Sequence, residues 1–192
     1  MKLLTTFACP PKEIEDFVLR ADNVLSNSGK ELIQPSWIEQ LEMMPMLVIR
    51  MEKVAKSVQT KYAHRYYSKG SLALSLRGSR MVDNYPKRMG EDFDGSFIRW
   101  EEWKLMDQLR EMPIHIAISK GAKLEERDLP ELTLPTAEEI AEAIAIVSKY
   151  YLLKIGDYIA LPLTKHPTEI SKGEGLFLLT NNDTELIYYT IS

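Results

Sequence analysis

The chain has 192 residues, 45% of them hydrophobic and 27% charged, with a formal net charge of −4. That is long enough for one domain, residues 1–192, with a buried core, and the scattered Lys and Arg of an acidic chain argue against a nucleic-acid partner, which needs a concentrated basic surface. One cysteine, Cys9, excludes an intrachain disulfide and fits a reducing, cytoplasmic setting.

The opening "MKLLTTFAC" has the look of a lipoprotein leader, but the apolar stretch before Cys9 is shorter than the roughly 7–15 residues such a leader needs. No apolar run approaches the roughly 20 residues of a membrane span, so no membrane partner is expected. Residues 1–7 read as a first strand. Over residues 11–25, Ile14, Phe17, Val18, Ala21 and Leu25 fall on one helical face, with Pro11 at the start and "SNSG" as a stop. A helix is expected there, followed by a helical turn over 35–41 with Trp37, Ile38 and Leu41 inward. Residues 46–51 read as a strand through β-branched Val48 and Ile49.

Residues 61–67, rich in aromatics, are compatible with helix or strand. "GSLALSLRGSR" sets Leu72, Leu74 and Leu76 against Ser71, Ala73 and Ser75, a period of two that predicts a strand with one buried face. Residues 81–95 carry the breakers Asn84, Pro86, Gly90 and Gly95 and read as loop. "SFIRWEEW" and "PIHIAIS" read as strands, and 119–135 as an exposed excursion. The strongest element is a helix over 137–150: Thr136 and Glu139 form a capping box, and Ile140, Ile144, Val147 and Tyr151 form an apolar stripe. Three strands, "DYIALPL", "LFLLT" and "ELIYYTIS", follow. Strands dominate without a regular strand–helix alternation, which gives an α+β class with two main helices.

The last third carries a resemblance. Ser148-Lys149 at the end of a helix, Leu153, the Gly156-Asp157 turn and its strand, then Gly173-Glu174 and a final strand pair, resemble the C-terminal pattern of the fumarylacetoacetate hydrolase family. Upstream, "LEMMPMLVIRMEKV", a strand opening on Gly70 and reaching Arg80, and Phe93-Asp94-Gly95 follow the same family order. The resemblance covers residues 41–192; residues 1–40 lie outside it. It implies a mixed β-sandwich roll, a homodimer, a small organic acid as ligand, and a Mg or Mn ion supporting carbon–carbon hydrolysis, decarboxylation or isomerisation.

Residue by residue, the resemblance also implies that most of this chemistry is missing. The family's Glu-x-Glu pair falls near Met43 and Pro45, its strand Asp at Leu76, its lysine at Glu91, and its Thr-Gly-Thr-Pro loop on Leu161 to Thr164. The family's N-terminal His-x-x-Glu has no counterpart, since the first histidine is His64. A hard cation needs several oxygen ligands, so no cofactor is expected. A degenerate site in a binding or structural protein is the leading reading. The alternative is a metal-dependent hydrolase, decarboxylase or isomerase of small oxo-acids with a rearranged site. For that alternative the residual candidates are Arg80 and Asp94 for catalysis, and Glu42, reached by a register slip, Glu52 and Asp94 for metal.

Other constellations point to structure. "EDFDG" clusters three acids but lacks the rest of a calcium loop. His64, His115 and His166 lack metal spacing. Cys9 beside Pro10 and Pro11 lacks a nucleophile's surroundings. Tyr62, Tyr66 and Tyr67, with Trp37, Trp100 and Trp103, read as packing aromatics. "SKGEG" lacks the ending of a phosphate loop.

Overall fold

A computed structural model describes residues 1–82, 90–125, 127–180 and 182–192. The strands are β1 (Leu3–Thr6), β2 (Phe17–Arg20), β3 (Leu25–Asn27), β4 (Lys30–Leu32), β5 (Ile38–Arg50), β6 (Lys69–Met81), β7 (Phe97–Arg99), β8 (Lys104–Leu105), β9 (Ile114–Lys120), β10 (Lys123–Leu124), β11 (Tyr158–Pro162), β12 (Thr168–Ile170), β13 (Glu174–Thr180) and β14 (Glu185–Ile191). Two α-helices are described, α1 (Met106–Glu111) and α2 (Ala137–Tyr150). One sheet runs β2-β1-β11-β5-β6-β7-β3, with β12 beside β5 and β8 beside β6; the other runs β10-β9-β13-β14-β4. The class is α+β and strand-dominated, as the sequence indicates.

The larger sheet is curled. Arg20 on β2 donates to Ser75 on β6, although β1, β11 and β5 lie between them in the sheet order. The curl makes two cores. Leu72, Leu74 and Leu76 of β6, Ile140 and Ile144 of α2, and Leu176 and Ile187 of the second sheet fill the space between the layers. Leu3, Met44, Met46, Val48, Ala73, Phe97 and Ala160 fill the concave inside of the curl.

This corrects the reading of β6 as buried on one face: its residues 70–76 are buried on both. The second face is built of small residues because it lies inside the curl, where the Ser71 hydroxyl finds the Trp100 carbonyl at 2.8 Å. Residues 11–25 are likewise not a helix. They form a 3-10 turn (Ile14–Asp16), β2, a second such turn (Asp22–Val24) and β3. The helical period was overridden by pairing with β1, which sends Phe17 into the interlayer core and Arg20 inside the curl. The turn expected over 35–41 shrinks to Ser36 and Trp37, and β5 begins at Ile38, extending the strand expected over 46–51 to thirteen residues. Residues 61–67 fall mostly in a 3-10 helix, Thr60–Arg65. The loop expected over 81–95 lies partly outside the described residues. In the 119–135 excursion, β10 hairpins onto β9, and Leu129, Leu132 and Leu134 pack partly against the core.

Helix α2 has the expected bounds. The Thr136 hydroxyl accepts the Glu139 N–H at 3.2 Å, and the Glu139 carboxylate accepts the Thr136 N–H at 2.7 Å. The two acid turns of the resemblance prove to be fasteners. Asp157, 2% exposed, accepts the Lys2 N–H at 2.7 Å, the Lys154 N–H at 2.8 Å and the Lys2 ammonium at 3.1 Å. Buried Glu174 accepts the Ser171 N–H at 2.9 Å and the Arg127 guanidinium at 2.7 Å. Both turns need a left-handed residue, supplied by Gly156 (φ 88°) and Gly173 (φ 81°).

Burial alone pushes the Asp157 carboxyl up, but the N–H groups of Lys154 and Lys2 and the Lys2 ammonium outweigh it and hold the group below the usual carboxylate range. A depressed folded value means that the stabilisation is complete above the unfolded value, about pH 4, and is lost as pH falls through the folded one. Asp157→Asn should therefore cost about 1–3 kcal/mol in urea unfolding at pH 7. The gap from the parent should narrow below about pH 4, and an equal gap at both pH values would refute this role.

Candidate functional site

The four residues singled out for residual chemistry are not brought together. Glu42, on β5, meets Arg77 on β6, with its Oε2 2.8 Å from Nε and 2.7 Å from Nη2. Glu52, beyond the far end of β5, accepts the exposed Ser68 hydroxyl at 2.6 Å. Arg80 pairs with Glu39 at 2.9 Å on the surface. Asp94 accepts the Asn23 side-chain amide, and its neighbour Asp92 accepts the Ala21 N–H at 3.0 Å, so the "EDFDG" turn docks on residues 21–23. Each acid is already engaged in holding a turn or a strand edge.

β5 alternates between the two cores. Met43 and Leu76 are cross-strand partners, 1% and 0% exposed, inside the interlayer core. Pro45, opposite Leu74, shares that face. Glu42 and Met44 take the opposite face, where the Arg77 guanidinium carbon lies 4.5 Å from the centre of the Phe7 ring. The segment that leaves β11 continues beside β5. Leu163 donates its N–H to the Pro45 carbonyl at 2.9 Å, and the Thr164 hydroxyl lies 2.9 Å from the His166 carbonyl and 3.0 Å from the Met44 sulfur.

Thr164 borders a cleft of about 770 Å³ between the loop after β1, the loop after β11 and the segment leading into α2. Phe7, Leu134 and Leu163 give it an apolar wall; Lys12, Lys165 and His166 give it cationic and hydrogen-bonding groups, with Glu131 and Glu139 as its acids. Glu139 is engaged in the α2 cap. Such a mixture of apolar wall and a few polar groups is what a small-ligand cleft requires. Sequence reasoning missed it because its parts lie more than 100 residues apart. The one signal was the placing of the Thr-Gly-Thr-Pro loop on residues 161–164.

The residues do not fit a hard divalent cation. Such an ion needs several oxygen ligands; here the β5 and β6 positions offer thioethers, Leu76 and a Glu42 already neutralised by Arg77. Among the described residues, no three His, Cys, Asp or Glu side chains lie close enough to hold a metal. An ion stripped of water there would lose several kcal/mol of hydration without replacement.

The architecture is shared with solved structures. A fumarylpyruvate hydrolase from Pseudomonas aeruginosa, in complex with Mn2+ and pyruvate, matches with a TM-score of 0.70 at 15% identity over 100% of this chain and 89% of that one. A 5-carboxymethyl-2-hydroxymuconate delta-isomerase from Mycobacterium smegmatis matches with 0.71 at 11% identity over 99% and 78%. A protein from Yersinia pestis CO92 ascribed to the fumarylacetoacetate hydrolase family matches with 0.73 at 13% identity over 100% and 92%. This chain therefore has the fumarylacetoacetate hydrolase fold, at identities that speak for the fold alone. No sequence-family profile and no curated protein matches it. No described helix is long and apolar enough to cross a membrane.

Cys9 lines the cleft, and burial, reinforced by Glu139, pushes its thiol up to about 12. Only a thiolate is nucleophilic, and three pH units leave roughly a thousandth of the ordinary thiolate fraction. Alkylation of the folded protein by iodoacetamide at pH 8 should run orders of magnitude slower than in urea. Equal rates would show an accessible, ordinary thiol.

Proposed function

We propose that this chain is a fumarylacetoacetate hydrolase-fold protein whose ancestral metal chemistry has been lost, and that it binds a small organic acid in the cleft beside Thr164. The observation that carries the reading is the occupant of the β5 surface next to Thr164: a methionine sulfur, with the nearby Glu42 tied to Arg77. A carboxylate in the cleft would lie against Lys12 and Lys165, its carbon skeleton against Phe7 and Leu163. Lysines act here as mobile point charges, so affinity should fall with salt.

The test is calorimetric titration of the full chain with magnesium and manganese, beside thermal unfolding in pyruvate, fumarate or oxaloacetate. Metals should give no heat of binding. One or more of the acids should raise the midpoint through mass action, and Lys12→Ala with Lys165→Ala should weaken that effect by about tenfold, as for loss of charge-assisted contacts. Acids without effect on the parent protein would remove the binding reading.

A second reading draws support from the hydrolase and isomerase named among its structural neighbours: a metal-dependent hydrolase, decarboxylase or isomerase of small oxo-acids. Micromolar metal binding accompanied by acylpyruvate hydrolysis or oxaloacetate decarboxylation would establish it in place of the first. A cytoplasmic homodimer goes with either reading, through the family resemblance, and sedimentation of the chain at micromolar concentration decides its oligomeric state.

A further inference from the structure

We infer that the end of the molecule formed by residues 53–56 and 149–155 is a peripheral docking surface for an anionic lipid bilayer. Two paired segments fix its backbone. Ala55 and Leu153 form an antiparallel bridge, with N–H to carbonyl distances of 2.9 and 3.0 Å in the two directions, and both are fully buried. The Met51 carbonyl accepts the Gly156 N–H at 2.8 Å and extends the match to the Gly156-Asp157 turn. With Ala55 and Leu153 directed inward, the residues on either side of each point outward. That sets Val54 beside Lys154 and Lys56 beside Leu152 on one outer face. Val54 and Leu152 are 57% and 46% exposed, and Tyr150 and Ile155 next to them 61% and 65%. Single exposed apolar residues are ordinary; here four of the eleven large ones among the described residues share two paired segments.

The fold gathers at this end lysines that lie far apart in an acidic chain: Lys2, Lys53, Lys56, Lys149 and Lys154. Lys2 Nζ reaches the Leu152 carbonyl at 2.9 Å, and Lys56 Nζ the Lys149 and Tyr150 carbonyls at 3.0 and 3.3 Å. Lys2 pairs with Asp157, whereas Lys53, Lys56, Lys149 and Lys154 form no ion pair among the described residues. The neighbouring acid, Glu52, accepts the Ser68 hydroxyl. An apolar centre with a cationic rim suits an acidic protein or an anionic leaflet, and the kind of cation decides between them. Protein interfaces are enriched in arginine and depleted in lysine; neither segment contains an arginine. Lysine stems lie along apolar surface while their ammonium groups stay in water, and an anionic leaflet favours each by about fivefold in affinity. Apolar side chains on such a surface enter only the boundary between headgroups and acyl chains. The contact therefore needs no spanning helix, and the lack of a long apolar run bears on crossing a bilayer and not on resting upon one. This surface precedes β11 and the cleft beside Thr164 follows it, so the two lie at opposite ends of that strand.

The experiment is co-sedimentation of the full chain with vesicles of pure phosphatidylcholine and with vesicles containing about one-third phosphatidylserine, each in low salt and in about 0.5 M sodium chloride. The chain should pellet with the anionic vesicles in low salt only. Lys53→Gln with Lys154→Gln should weaken that association about 25-fold, and Val54→Ser with Ile155→Ser about tenfold. All four side chains are exposed, so both variants should keep the parent's unfolding midpoint. Lys120→Gln with Lys123→Gln, on the β9–β10 hairpin, changes the net charge equally and should bind as the parent does. No pelleting with anionic vesicles in low salt overturns the inference, as does equal pelleting with both lipids, or a hairpin variant as weak as the one at Lys53 and Lys154. Sedimentation velocity without lipid completes the test. Conversion of a parent dimer to a monomer by Val54→Ser with Ile155→Ser would assign the surface to a contact between copies and overturn the lipid reading.

Discussion

The structure depends on the pairing of β5 with β6. This antiparallel ladder runs from Ile38 opposite Met81 to Ile49 opposite Gly70 and is buried on both faces through its middle. Two-sided burial forces each strand to serve two cores at once, with alternate residues committed to each. Met43 and Leu76 meet on the interlayer side, while Met44 and Ser75 meet inside the curl. Gly70 follows from the same constraint: a Cβ there would lie 2.9 Å from the Leu109 side chain and 3.0 Å from the Met106 sulfur.

That ladder also decides the chemistry available. A cation site on two adjacent strands needs several carboxylates on one face. Here the interlayer face is wholly aliphatic or thioether at the relevant positions, and the other face offers one carboxylate already matched to Arg77. Asp157 and Glu174, the acids of the two Gly-containing turns, stabilise those turns by accepting backbone N–H groups.

Much of this frame was legible in the sequence. Helix α2 was readable because cap and periodicity agree locally, and β11, β13 and β14 because short apolar runs sit between turns. The Gly156-Asp157 turn carried its meaning in two residues. What could not be read was set by distant partners. Residues 14–25 have a respectable helical stripe, yet become strand because β1 offers a ladder to Phe17–Arg20. The second face of β6 was invisible because Ser71 and Ser75 look like surface residues until the Trp100 carbonyl and Arg20 are placed on them. The residual site candidates fared similarly: Glu42, Glu52, Arg80 and Asp94 have plausible chemistry singly and no common location.

The parallel pairings of β1 with β11 and of β4 with β14 join residue 3 to residue 158 and residue 30 to residue 189. Neither sheet can be completed until its late partner, residues 158–160 for β1 and 189–191 for β4, has left the ribosome. Until then, Leu3 and Leu4 lack their ladder partners Tyr158 and Ile159. Sequence separations of that size place assembly at the slow, late-committing end of the folding range.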